Sequence, residues 1–169
     1  EASQEPERAL PSAEALPKLT PGAGHLVHMP AHVYIRVGKY HEASEANVAA
    51  VAADQDYITQ CRAQGIYPLA YHPHNYHFLS RTASLEGRSA VAMDAARKMQ
   101  AHVPADAMRV PELSTLQHFW ITPVYVMAQF GMWEQILNEP KPDEDLLYPI
   151  GVWHYARGLA FTSKGQLDE

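Results

Sequence analysis

Gly131 and Gly165 stand 34 residues apart, and Gly38 and Gly87 sit in the same local pattern of small and aromatic residues. Around the first of them the order is Ala31, Tyr34, Gly38, Tyr40, Ala43, Asn47, Ala50. This order constrains the fold more than any other feature of the chain. Residues of one kind three and four apart mark one face of a helix. A glycine between two such runs ends the first helix, because it enters the left-handed region without a Cβ penalty. Alanines let the paired helices approach, and aromatics fill the seam between them. The expected fold is all-α, built from helix pairs that turn at Gly38, Gly87, Gly131 and Gly165.

The pattern resembles the tetratricopeptide repeat (TPR), a 34-residue helix-turn-helix unit. The resemblance implies a right-handed superhelix of antiparallel helix pairs, an α-solenoid, here with irregular repeats. With Gly24 as first position, residues 1–23 read as the end of a preceding repeat and 24–57 as a repeat. An insertion follows at 58–72, a repeat at 73–106, a second insertion at 107–116, a divergent repeat at 117–150 and a truncated one at 151–169, all within one domain of 1–169. More narrowly, "GHLVHMPAHVYIRVGKYHEA", "YHPHNYHFL" and "WHYARGLAF" are similar to strings in a bacterial group of such proteins with no established activity. That similarity implies a longer bacterial parent and supplies no reaction. Both ends fall inside repeat units, so exposed apolar repeat ends are expected to self-associate or to dock on neighbours.

Composition excludes several classes. At 47% hydrophobic and 19% charged, the chain has the apolar content of a packed domain and not of a disordered segment. A net charge of -6, without a run of Lys or Arg, argues against nucleic acid or an anionic membrane as partner. No apolar stretch approaches the length of a membrane-spanning helix. The single Cys61 rules out an internal disulfide and suits a reducing compartment, so the expected location is the cytoplasm. In an Ala-rich helix that cysteine reads as a packed residue.

Local order is uneven along the chain. Pro11 and Pro17 oppose a continuous first helix, leaving one short helix or two broken pieces. The Ala-rich run from Glu42 to about Gln64 reads as one long helix ended by Gly65. The aromatic segment "IYPLAYHPHN" either packs over the repeats or lines a site. Pro73 suits the first turn of the next helix. Pro30 and Pro123 share the seventh position of two repeats, where each either bends a helix or marks its true start. "NEPKPDED" reads as a mobile link.

The functional signal lies in the histidines, ten in all. In the resembled family the first helix of each repeat lines the concave groove, and its second, fifth and ninth positions touch ligand. His25, His28 and His32 take those positions in the first full repeat, His74, His77 and Arg81 take them in the next, and His118 takes the second position of the third. Residues three and four apart on a helix lie roughly 5–6 Å from one another. Six imidazoles can thus converge, with His28, His32, His74 and His77 as the centre and His25 and His118 at the margins. Neutral imidazoles suit a divalent transition metal, Zn, Ni, Cu or Fe. Asn75, Tyr71, Tyr34 and Arg81 are the polar neighbours expected to touch a ligand. Free backbone N–H groups in the first turn after Pro73 would favour an anion or carboxylate beside the metal. Alternatively the groove holds no metal, and its histidines are half-buried hydrogen-bonding groups stacked on Tyr34, Tyr71, Tyr76 or Tyr125.

Three functions fit these residues. One is a binding scaffold whose groove takes a peptide or small acidic ligand, with or without a metal. The second is a metal-dependent enzyme that activates water, with Asp56 as a proton-transfer group. The third is a structural segment of a larger assembly. Other carboxylates, including Asp54, read as solvated charges, and no residue is nominated as catalytic.

Overall fold

The computed structural model describes residues 3–168. A 3₁₀ turn at Pro6–Ala9 leads into α1 (Leu10–Leu19), followed by α2 (Gly24–Arg36) and α3 (Tyr40–Cys61). A π turn at Tyr67–Tyr71 runs directly into α4 (His72–Leu85), and then come α5 (Ser89–His102), two short 3₁₀ turns, α6 (Thr115–Gln129), α7 (Trp133–Asn138) and α8 (Leu147–Ser163). The described residues are all-α, as the glycine spacing implied.

The four glycines end four helices in the same way. Gly38, Gly87, Gly131 and Gly165 have φ of 77°, 75°, 64° and 72°. At each one the following residue donates its N–H to a carbonyl five residues back, as in Lys39 to Tyr34, Arg88 to Ala83, Met132 to Met127 and Gln166 to Phe161, all at 2.9 Å. The glycine itself bonds three residues back, from Gly38 to Ile35 at 3.3 Å and from Gly87 to Ser84 at 3.1 Å. This is the Schellman terminator, which satisfies the last carbonyls of a helix and needs a left-handed residue. After the first three, a new helix begins two residues later at Tyr40, Ser89 and Trp133.

Packing falls into two compact units, Glu1–Ala95 and Ala96–Glu169. In the first, α1 packs on α2, α2 on α3, and α3 on α4. Its seams are closed by small residues, with Ala31, Ala43, Ala50 and Ala83 all fully buried. A polar contact ties α3 to α4, where Ser44 Oγ donates to Thr82 Oγ1 at 2.9 Å. In the second unit α6, α7 and α8 pack on one another around Leu116, Ile121, Met127, Ile136, Leu146 and Ala156.

Several local expectations change. Pro30 and Pro123 lie inside α2 and α6, so neither marks a helix start. Pro17 is accommodated inside α1, which is one helix. The long helix α3 stops at Cys61, and the residue that turns left-handed is Arg62, at φ 47°; Gly65 then takes φ 79° of its own. The segment read as a mobile link is tied down, since Glu139 pairs with Arg97 at 2.6 Å, and Asp143 and Asp145 pair with Arg109 at 2.7 and 2.6 Å. Cys61 is exposed, not packed. Among the described residues no helix is long and apolar enough to cross a membrane.

Candidate metal centre

Because α2 begins at Gly24, ahead of Pro30, His25, His28 and His32 lie on one helical face. His74 approaches from α4. The ligand nitrogens of His25, His28 and His74 all lie within 4.8 Å of one another. His32 joins them through Nε2, which is 2.8 Å from Nε2 of His28, while Nε2 of His74 lies 3.1 Å from the same atom. His32 and His74 thus both contact Nε2 of His28, and His25 joins His28 and His74 within the same group.

The central ring has its tautomer set by α3. The Asn47 amide nitrogen donates to the Ala43 carbonyl at 2.8 Å, which turns its oxygen toward His28 Nδ1 at 2.7 Å. An oxygen acceptor there requires Nδ1 to carry the proton, so in the neutral ring Nε2 presents a lone pair. A metal-bound histidine is oriented by the same kind of bond at its other nitrogen. His28 is fully buried. Burial pushes its pKa down to about 3, opposed by the Asn47 bond and helped by the neighbouring His74, His32 and His25. At neutral pH the ring is thus uncharged and ligand-ready.

One lone pair cannot accept well from two N–H groups, yet His32 and His74 both point Nε2 at it. A cation would satisfy all three nitrogens. Tetrahedral ligation with metal–nitrogen bonds of about 2.0–2.1 Å places ligand nitrogens about 3.3 Å apart, and the group whose nitrogens all lie within 4.8 Å of one another is His25, His28 and His74. His25 adds a buried Nδ1 with no hydrogen-bond partner, and its ring stands edge-on to Tyr71 at 4.8 Å between centroids. Phe78 packs against His28, His32 and His74 at 4.6, 4.5 and 4.8 Å and closes one side of the group with apolar surface.

Behind the histidines lies a buried carboxylate, where the sequence pattern alone implies a solvated one. Asp54 on α3 is fully buried. Tyr67 donates to its Oδ1 at 2.6 Å and the Asn75 amide to its Oδ2 at 2.7 Å, with His72 Nδ1 3.5 Å from Oδ2. The Tyr67 pKa is raised by burial and by this carboxylate. Space for Asp54 is made by Gly24, where a Cβ would stand 1.9 Å from Oδ1. Asp54 thus braces the start of α2, which carries His25, and the start of α4, which carries His74. Asp56, nominated for proton transfer, is exposed.

The remaining nominated residues divide. Asn75 reaches the site through Asp54, and Tyr71 through His25. His77 lies outside the three-histidine group and lines a groove with His32, Phe78 and Arg81. Tyr34 is half-buried and has its pKa raised by burial and by nearby Glu14. His118 belongs to the second unit, where its Nδ1 is 2.9 Å from the Tyr148 hydroxyl and burial lowers its pKa. The aromatic segment before α4 lines the site, with Tyr71 against His25 and Tyr67 on Asp54. It does so as a π turn continuous with α4, and the His72 N–H is bonded to the Tyr67 carbonyl. That bond occupies one of the first-turn donors expected to be free for an anion.

No protein-family model, curated protein or solved structure matches the chain.

Proposed function

We propose that the chain is a TPR-type scaffold, a right-handed superhelix of helix pairs, whose first unit binds a divalent transition metal through His25, His28 and His74, with His32 as fourth ligand or as neighbour to an open position. The observation that carries this reading is the meeting of these three ligand nitrogens within 4.8 Å of one another at a buried His28 whose tautomer is set by Asn47. An all-imidazole donor set favours Zn, Ni, Cu or Fe(II) over Mg or Ca, which take oxygen ligands. The four glycine terminators and the recurring helix pairs support the repeat reading. The function is binding, with the metal organising a groove for an acidic ligand.

The test is metal content and affinity. Protein purified without a histidine tag or added metal is analysed for bound elements and titrated by calorimetry with Zn²⁺, Ni²⁺, Cu²⁺ and Co²⁺. One equivalent per chain is expected. The His28→Ala/His74→Ala double variant should bind none while its far-UV circular dichroism stays helical. Wild-type protein that takes up no metal, or a double variant that binds as tightly as wild type, would remove this centre.

A further inference from the structure

We infer that the groove beside the metal centre is a binding site for an organic carboxylate with an apolar body, held by Arg81. This rests on the metal reading for its setting but not for its evidence. The groove encloses about 540 Å³ and is lined by His32, Ile35, Arg36, His77, Phe78 and Arg81. That volume lies within the range of small-molecule sites, roughly 300–1,000 Å³. The same two helical faces build both sites. On α2 the stripe runs from His25, His28 and His32 into Ile35 and Arg36; on α4 it runs from His74 into His77, Phe78 and Arg81.

The lining specifies the ligand. In a chain of net charge -6, these walls carry two guanidinium groups, two imidazoles and no carboxylate. Arg36 donates to the Ser3 carbonyl at 2.9 Å. Arg81 is exposed, and among the described residues no acidic group pairs with it. A planar guanidinium favours a planar, bidentate partner such as a carboxylate. Between the cations the groove offers Phe78 and Ile35, a surface that a small inorganic anion would leave exposed but that an aryl or alkyl chain would cover. His32 belongs to the histidine cluster as well as to the groove, so a seated ligand lies against the proposed metal centre. Free aryl carboxylates and the C-terminal carboxylate of a peptide ending in an aromatic residue share this chemistry.

Calorimetry on the full chain, metal-loaded and metal-stripped, tests it with 3-phenylpropionate, with 3-phenylpropanol as the uncharged analogue, and with a tetrapeptide ending in Phe as free acid or amide. The carboxylates should bind with one site per chain and the uncharged forms about tenfold more weakly, roughly the worth of one charge-assisted pair. Arg81→Gln should weaken carboxylate binding by a similar factor and leave metal stoichiometry unchanged. Preference for the free peptide over phenylpropionate identifies a peptide terminus as the source; the reverse identifies a small acid. Equal binding of acid and neutral analogue, an Arg81→Gln variant that binds as wild type, or no binding by either form of the protein overturns the proposal. Arg81-dependent binding to a protein that takes up no metal keeps this site and removes the metal centre, whereas metal uptake without carboxylate binding does the opposite.

Discussion

Asn47 lies outside the proposed ligand set, yet it decides which nitrogen of His28 carries the proton. Its removal frees the ring to rotate and to adopt the other tautomer, and leaves a buried N–H without an acceptor. Asn47→Ala is expected to weaken metal binding roughly 10–100-fold while the helical circular-dichroism signal persists. Calorimetry on wild type and variant checks this, and unchanged affinity would show that the bond serves packing alone. Gly24 is the second such position. A Cβ there meets Asp54 Oδ1 at 1.9 Å and the Ala50 carbonyl at 2.7 Å, and the second contact is backbone that cannot swing away. Gly24→Ala should cost about 1–3 kcal/mol, whereas Gly22→Ala, with nothing within 4 Å, should be close to neutral. Thermal melts of the two variants compare them directly. The histidine stripe was legible in the sequence because three- and four-residue spacing is a property of the helix itself. Asp54 was not, because an acid in an Ala-rich helix has the local signature of a solvated face; what buries it is Tyr67 and Asn75, 13 and 21 residues further on. His77, expected at the centre, lies outside the three-histidine group and lines the adjoining groove. Spacing places it on the right helix but cannot say that Phe78 closes the cluster beside it.

Each glycine terminator is a helix end that only a left-handed residue completes, and this made the turns readable from the chain alone. Gly87 has φ 75° and open space around its missing Cβ. Gly87→Ala therefore loses about 1 kcal/mol from backbone strain and not from a clash. Gly151, inside α8 and also without a neighbour within 4 Å, has no such φ. Alanine there should stabilise by about 0.5–1 kcal/mol, through helix propensity. Opposite signs for two Gly→Ala changes, read from denaturant unfolding, separate conformation from space; a loss at both positions would contradict the helical assignment of Gly151. Elements set by tertiary partners were less legible. The end of α3 falls at Arg62, three residues before the glycine that looked like its stop, and the π turn at Tyr67–Tyr71 has no one-residue signature. Its register follows from Tyr67 reaching Asp54 and from Tyr71 packing on His25.

At the scale of the whole molecule, the proposed metal centre would link stability to pH and to metal concentration. In metal-stripped protein the His28 pKa is about 3 in the folded state against about 6.5 in the unfolded chain. Between those values the unfolded chain holds more protons on this residue. His28 therefore contributes stability that is fully present above about pH 6.5 and is lost as pH falls toward 3, by at most about 1.4 kcal/mol per pH unit. The imidazoles facing it are His25 and His32 from its own helix and His74 from α4; from α3 it meets the uncharged Asn47. A bound metal needs the same neutral rings and competes with the same protons. At a free concentration one hundred times the dissociation constant it stabilises the folded state by about 2.7 kcal/mol. For a chain of this size that corresponds to a rise in melting temperature of roughly 5–10 °C. Zinc at pH 7.5 should produce that rise in the far-UV circular-dichroism melt, the rise should shrink steadily toward pH 5, and the His28→Ala/His74→Ala variant should show none at either pH. A zinc-induced shift of equal size at both pH values, or one that survives the double substitution, would mean that the ion acts elsewhere on the surface and that the acid sensitivity of the fold has another source.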